Sequence, residues 1–155
     1  MADPMELQAL ENLQTVLAAI STGGGYKSDV DACELHYRTW ETFSQAGNVV
    51  IGIVPVETQV QGYQGHRLRC QMRVDLACHV QGTTHASIWQ AVEDLIDDVI
   101  AAVGADPTLT QTVIDTVPVS WQTDIGDPDN NQHFGRSGTA VITLRIRYER
   151  STSGS

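Results

Sequence analysis

The sequence has few basic residues and no long apolar run. Its 155 residues include 9 Lys and Arg against 19 Asp and Glu, which gives a formal net charge of −10. Binding of nucleic acid over a general surface depends on neutralising phosphates, so this composition argues against it and leaves only a local contact with DNA. No stretch approaches the ~18 consecutive apolar residues of a membrane span. The N-terminus, Met1-Ala2-Asp3-Pro4, lacks the features of a secretory signal, so we expect a protein made and kept in the cytosol.

Cysteine is also scarce, and its number, three, is odd. Cys70 and Cys78 lie on one predicted strand, roughly 26 Å apart at the rise per residue of a strand, which is far beyond the reach of a disulfide. We therefore expect these two residues and Cys33 to be reduced core residues.

Two segments alternate between apolar and polar residues. Every even position from Leu68 to Val80 is apolar, and residues 139–150 repeat the pattern. A period of two indicates a long, half-buried β-strand with one apolar face. Five of the nine basic residues fall on the polar faces of these two strands. They are Arg67, Arg69, Arg73, Arg145 and Arg147.

Apolar residues at 3- and 4-residue spacing predict two helices. The first covers about four turns from Met5 to Ile20 and is ended by Gly23-Gly24-Gly25. The second runs from Ala86 to Val103, with Gly104 as its stop.

Three further strands are predicted over residues 30–40, 49–60 and 113–121. Pro55 and Pro118 lie inside the last two, and a proline indicates an edge strand or a bulge. The order α-β-β-β-α-β-β predicts a single α+β domain over residues 1–150. We expect two helices packed on one face of a mainly antiparallel sheet, and a flexible tail over residues 151–155.

A single helix layer leaves the arginine-bearing face of the sheet to solvent or to a partner, and a solvated face is common in antiparallel proteins. The second helix has no basic residue four positions from its carboxylates, so they repel one another. We predict that arginines of one subunit meet carboxylates of the next in a head-to-tail ring. The interface carboxylates of this hypothesis are Glu93, Asp94, Asp97 and Asp98.

Residues 124–138 are rich in glycine, proline and asparagine and have no apolar period. Connections of this length are usually functional or mobile. We predict that they form a docking loop that becomes ordered on a partner. The polar residues assigned to it are Asp124, Asp127, Asp129, His133 and Arg136.

The motifs for chemistry are weak, and we predict no catalytic residue, metal site or cofactor. Cys33 and His36 point to opposite faces of a strand, as do Cys78 and His79, so neither pair holds one metal. The triple glycine lacks the lysine of a phosphate-binding loop and ends a helix where such a loop begins one. The paired carboxylates Asp97-Asp98 and Asp127-Asp129 have no histidine or nucleophile beside them.

The order of elements carries a resemblance over most of the chain. It consists of a helix over residues 10–20, a strand around Val54-Pro55-Val56, the long alternating strand, a helix over 88–103, Asp106-Pro107-Thr108-Leu109, and a last strand that ends Arg145-Ile146-Arg147-Tyr148. In these features the chain resembles the tail terminator, or tail completion, proteins of long-tailed bacteriophages. It departs from many members at Thr110-Gln111, where they commonly have Gly-Gly.

The resemblance implies a structural virion protein with no enzymatic activity. Members form a hexameric ring that caps the growing tail tube, stops its polymerisation and presents a surface to the head-side connector. The implied partners are copies of the chain, the tail tube protein and the connector or neck protein, with DNA only as passing cargo and no membrane. The implied place is the head-proximal end of the virion tail, assembled in the host cytoplasm.

Three other interpretations stay open at this point. The chain could be a neck or tail-tube-like protein of the same superfold, or a small module that dimerises through its sheet face to bind a ligand or protein. It could also be a small enzyme of ferredoxin-like build. Its pocket would then form around His36, His79 or His133.

Overall fold

The structure, a computed structural model, describes residues 5–35, 48–82, 84–124 and 137–151. The described chain has the predicted order of elements and is an α+β fold. A 3-10 turn over Thr22–Gly24 follows the first helix. The helices and strands are α1 (Met5–Ala18), β1 (Ala32–Leu35), β2 (Val49–Gln64), β3 (Arg67–Gln81), α2 (His85–Ala105), β4 (Asp115–Asp124) and β5 (Ser137–Ser151).

The five strands form one sheet in the order β1-β2-β3-β5-β4. Only β1 and β2 are parallel, and every other neighbouring pair is antiparallel. A tight turn joins β2 to β3, so that Gln64 pairs with Arg67. Gly65 in this turn has φ +61°, a conformation that glycine adopts without a steric penalty. The prediction of a mainly antiparallel sheet is confirmed.

One face of the sheet packs against both helices. The even positions of β3 and β5 are buried in the same apolar core as the inward residues of the helices, for example Leu13 and Leu17 of α1 and Leu95 and Val99 of α2. Strict alternation places every even side chain of a strand on one side, so each strand contributes its whole apolar set to one layer. The two helices therefore lie on one face, as predicted.

Both prolines lie where a missing N–H is tolerated. The register of β2 with β3 shifts between Pro55 and Glu57, so Pro55 lies at an irregularity of the ladder. Pro118 lies on the edge strand β4, with a register shift between Pro118 and Ser120. The edge or bulge predicted at each proline is confirmed.

Helix α2 begins at a capping box and ends later than expected. The Thr84 side chain accepts from the Ser87 N–H at 3.1 Å, and the Ser87 hydroxyl accepts from the Thr84 N–H at 3.1 Å. Gly104 was predicted to stop this helix, but it lies inside, and Asp106 is the C-cap. The turn after the helix is the actual stop.

Three consecutive residues in that turn are left-handed. Leu109, Thr110 and Gln111 have φ of +47°, +61° and +66°. The Asp106 carboxylate stabilises the turn by accepting from the Thr110 N–H at 3.0 Å, and Asn12 of α1 donates to the Leu109 carbonyl at 3.1 Å. The turn buries the Leu109 side chain completely. Because a left-handed backbone costs a side chain about 1–2 kcal/mol, this segment stores strain.

Replacing Gln111 by glycine should stabilise the protein. Glycine removes the steric penalty of the left-handed conformation, but it also has greater freedom in the unfolded chain. The net effect should raise the free energy of unfolding by about 0.5–1 kcal/mol in urea titration. The matched control is Ala101→Gly on the exposed side of α2, which should lower it by about 1 kcal/mol. If both variants lowered the free energy of unfolding by the same amount, the backbone at position 111 would not be strained.

A buried tyrosine fixes α1 to the last strand. The Tyr148 hydroxyl donates to Glu6 Oε1, and the same carboxylate lies 3.4 Å from Arg150 Nη1. The Tyr148 side chain is fully buried, and burial followed by its bond to Glu6 raises its pKa above the usual range. The first turn of α1 is thereby held against strand β5.

We expect Tyr148→Phe to lower the free energy of unfolding by about 1–2 kcal/mol, because it removes a charge-assisted hydrogen bond and keeps the ring. Tyr63→Phe is the control, since Tyr63 is 69% exposed, and its effect should be near zero. Chemical denaturation of the three proteins makes the comparison. Equal stability of wild type and Tyr148→Phe would show that the bond to Glu6 contributes nothing.

Candidate functional site: the arginine face

The face of the sheet away from the helices carries the five predicted arginines. All five occupy odd positions of β3 and β5, where the side chains point away from the helix layer. Their exposed side-chain fractions are 73% for Arg67, 62% for Arg69, 57% for Arg73 and 48% for Arg147. Arg145 is half-buried. We call this surface the arginine face.

Most of these arginines are already paired within the chain. Arg67 Nη1 lies 3.0 Å from Glu149 Oε2, and Arg69 Nε lies 3.9 Å from Glu149 Oε1. Arg147 makes a two-pronged contact with Asp115 of β4, in which Nε donates to Oδ1 at 2.9 Å. Its hydrogen bond holds the pKa of the Asp115 carboxyl below the ordinary value. The sequence did not reveal these partners, because each comes from another strand.

The other two arginines stand opposite each other. Arg73 of β3 pairs in register with Arg145 of β5, a like-charge pair across two strands that costs a few tenths of a kcal/mol or more. Arg73 Nε is 3.6 Å from Asp75 Oδ1, and this carboxylate oxygen also accepts from the Thr143 hydroxyl at 2.8 Å. Arg145 Nε is buried and has no hydrogen-bond partner within the described ranges. Glu57 of β2 also stands opposite Arg73 in register, and the positive charge of Arg145 contributes to the lowered pKa of Asp115. The centre of the arginine face therefore carries charges of both signs.

The four predicted carboxylates of α2 fall into different settings. Asp98 is only 3% exposed, and its two oxygens accept from the backbone N–H of Lys27 at 3.0 and 3.1 Å. The prediction of a surface role for Asp98 is therefore wrong. The segment before β1 folds over this part of α2, and no helical period could show that.

The remaining carboxylates differ in exposure. Asp97 Oδ2 lies 3.0 Å from Lys27 Nζ, in a pair whose side chains are 60% and 58% exposed, and this bond raises the pKa of Lys27. Asp94 is partly buried and accepts from Gln90 Nε2 at 2.9 Å. Glu93 is also partly buried, and it makes no ion pair or side-chain hydrogen bond with any residue of the described chain.

One end of the sheet face is closed. Val50 and His79 lie opposite each other in register on that side, and their exposed fractions are 0% and 3%. Burial lowers the pKa of His79. A histidine in this position lines no open cleft, which argues against the enzyme interpretation at this residue. His36 and His133 lie outside the described residues.

Two apolar residues lie beside the arginines, and sequence reasoning did not assign them to this face. Val141 of β5 is 39% exposed there, and Val117 pairs in register with Arg145 and is partly buried. Trp121 is 50% exposed, but the register shift within β4 sets it opposite Ile142, on the helix side of the sheet. The alternation of β4 in the sequence could not reveal this change of face.

The predicted docking loop lies almost wholly outside the described residues. Asp124 is the exposed last residue of β4, and its carbonyl accepts from the Thr139 hydroxyl at 3.4 Å. Asp127, Asp129, His133 and Arg136 belong to the undescribed range 125–136. The role assigned to this loop stays a prediction.

The cysteines are free, as expected. Cys70 and Cys78 are buried in the core, and burial raises the pKa of the thiols of Cys33 and Cys78 to about 12, so both stay protonated at neutral pH. Within the part of the chain that the structure describes, no group of three or more histidine, cysteine or acidic side chains is arranged to hold a metal ion.

Comparison with known proteins gives no family assignment: no family model matches the chain, and no curated protein matches its sequence. Among the described helices, none combines the length and apolar character needed to cross a membrane.

The contact between Arg147 and Asp115 should make the stability of the fold depend on pH. Because the folded pKa of Asp115 lies below that of the unfolded chain, its stabilising effect is complete above the ordinary value of 3.8 and is lost as the pH falls through the folded pKa. Asp115→Asn should therefore lower the free energy of unfolding at pH 7. It should also make that free energy fall less steeply as the pH is lowered. Urea titrations between pH 7 and pH 3 measure both effects.

Arg147→Ala provides the second arm of this test. If the two residues act as one pair, the double variant should lose little more than either single variant. Full additivity, or an acid decline unchanged by Asp115→Asn, would show that the contact does not stabilise the fold.

Proposed function

We propose that this chain is a structural virion protein of the tail terminator kind, which assembles into a ring on the end of a phage tail tube. The observation that carries the proposal is the different placement of the arginines and of the α2 carboxylates. Five of the nine basic residues of an acidic chain lie on one sheet face, with four carboxylates among them. Helix α2, on the other side of the sheet, carries the exposed Asp97 and the partly exposed Glu93 and Asp94. Two unlike surfaces on opposite sides favour head-to-tail contacts.

A head-to-tail contact leaves one free surface of each kind on any open chain of subunits. Such a contact continues until the rotation per subunit closes it into a ring. An isologous dimer would instead use the same patch twice and would leave the carboxylates of α2 outside the contact. The head-to-tail arrangement is the one that brings α2 of one subunit to the arginine face of the next.

The turn after α2 supports the family resemblance on independent grounds. Tail terminator proteins commonly carry Gly-Gly where this chain has Thr110-Gln111, and both residues are held at positive φ here. Only glycine adopts this conformation without a penalty. The backbone of this turn thus favours glycine at the same two positions where the family commonly has it. Common descent of the turn would predict this agreement. Asp106 and the left-handed Leu109 belong to the same motif.

In the proposed function the ring works by geometry and mass action. One side of the ring matches the end of the tube, and the other side accepts no further tube subunit but offers a surface to the connector. The net charge of −10 lets DNA pass the lumen without ion pairing to it. Assembly takes place in the host cytoplasm, and the ring stays at the head-proximal end of the tail.

The first test is the mass of the purified protein by light scattering, at low and at moderate salt. We expect about six times 16.9 kDa, falling as salt rises, because screening weakens contacts between exposed charges. Tail tubes polymerised with the protein present should be capped and shorter, as counted by electron microscopy. Uncapped tubes of unchanged length would contradict the function, and a mass of two subunits would favour the dimeric module.

A further inference from the structure

The last residues of β5 extend beyond one of the two strands beside them. Strand β4 pairs with β5 only as far as Arg147, opposite Asp115, whereas β3 continues to Ser151 on the other side. Ahead of Asp115 the chain leaves the sheet through the left-handed turn at residues 109–111. In the described structure, residues 148–151 therefore have a strand on one side only.

A groove lies where β4 would continue. Residues 111–114 form one wall and residues 149–151 the other, and Met5 and Arg67 also line it. We call this groove the β5 notch. The four residues of β5 that lack a strand on this side span roughly 13 Å at the rise of a strand. The β5 notch therefore accommodates a short extended segment and not a strand as long as β4.

The main chain of Glu149 points into the β5 notch. The Ile114 N–H donates to the Arg147 carbonyl at 2.7 Å, so the main-chain polar groups of Arg147 face β4. These groups alternate in direction along a strand, so those of Glu149 face the same way and those of the residues on either side of it face β3. Within the described ranges, no backbone hydrogen bond joins Glu149 to residues 111–114. Glu149 thus offers one donor and one acceptor to an added strand.

The strained turn is what leaves this edge uncovered. A chain that continued straight ahead of Asp115 would run alongside residues 148–151. Instead, three consecutive left-handed residues hold it against α1, where Asn12 donates to the Leu109 carbonyl. Strain of this kind clusters at ligand-binding and switch regions. Here it lies beside the one part of β5 that has a single neighbouring strand among the described residues.

The side chains around the β5 notch favour an apolar occupant. Ile114 is 48% exposed, and alternation from Asp115 places it on the helix side of the sheet, where Met5 is half-buried. The four charged side chains nearby balance one another in two ion pairs, Arg67 with Glu149 and Arg150 with Glu6. The surface therefore offers apolar contact and main-chain groups instead of net charge. An extended peptide with an apolar side chain matches both.

We propose that the β5 notch receives an extended segment of a tail tube subunit, which adds to β5 as a short strand beside Glu149. The inference rests on the proposed function and names the place where the ring holds the tube. Neighbouring subunits of the proposed ring meet through the arginine face and α2, on opposite sides of the sheet. The β5 notch lies in the plane of the sheet, so contacts between neighbours leave it available to the tube.

Replacement of Glu149 by proline tests the contact on the full-length protein. Proline removes the N–H that points into the β5 notch and keeps the ladder to β3, to which Glu149 donates no bond, so the variant should fold. Its dissociation constant for preformed tail tubes should rise by about tenfold, because an acceptor of the added segment loses its donor. Co-sedimentation with the tubes measures the constant.

Glu149→Ala is the matched control. It loses the same carboxylate and the same pair with Arg67 but keeps the N–H, so its dissociation constant should stay within about threefold of wild type. Equal binding by the proline and alanine variants overturns the contact and leaves the capping ring intact. Wild type that does not bind tubes overturns the proposed function itself. Light scattering should give wild-type ring mass for both variants, and a ring lost only in Glu149→Pro would assign the β5 notch to another copy of the chain.

Hydrogen exchange of the wild type covers the case in which circular dichroism shows that Glu149→Pro is unfolded. The Glu149 amide should exchange more slowly with tubes present than in the ring alone, because a new hydrogen bond protects it. Exchange that tubes leave unchanged overturns the contact. An amide already protected by ring formation, with no further effect of tubes, would place a second copy in the β5 notch and overturn the assignment to the tube.

Discussion

The rest of the structure depends on the antiparallel ladder between β3 and β5. Both strands are 15 residues long, and they pair without a register shift from Arg67 opposite Ser151 to Gln81 opposite Ser137. Both strands alternate, so this one register assigns the apolar side chains at even positions to the helix layer and the five arginines at odd positions to the other face. A slip by one residue would exchange the two faces. Both helices pack on the apolar side that the ladder creates.

The same ladder sets the electrostatics of the arginine face. Register places Glu149 beside Arg69, and β4 brings Asp115 to Arg147, so much of the positive charge is balanced where it arises. Register also places Arg73 opposite Arg145, and carboxylates of the neighbouring positions, Glu57 and Asp75, lie beside this pair of like charges. A surface that looks basic in the sequence is thus a mixed one in the folded chain. Exposed ion pairs of this kind contribute little individually.

The two-layer architecture gives the chain two different outer surfaces. One is the arginine face, with carboxylates among its arginines, and the other is the outer side of the helix layer. The strained turn after α2 shows that the chain keeps a costly local conformation, held by Asp106 and Asn12, to seat Leu109 in the core. Tyr148 and Glu6 hold the first helix against strand β5.

The sequence by itself determined the elements, their order, the layer that each strand face joins and the presence of an edge or a bulge at each proline. These follow from backbone periods of 2 and 3.6 residues and from the missing N–H of proline, which act locally. Only the tertiary structure decided which arginines are paired, that Asp98 is buried, and that Thr110 and Gln111 are left-handed. The reason is physical: an ion pair or a burial depends on segments far apart in the chain, and the register between them is set by the packing of the whole core.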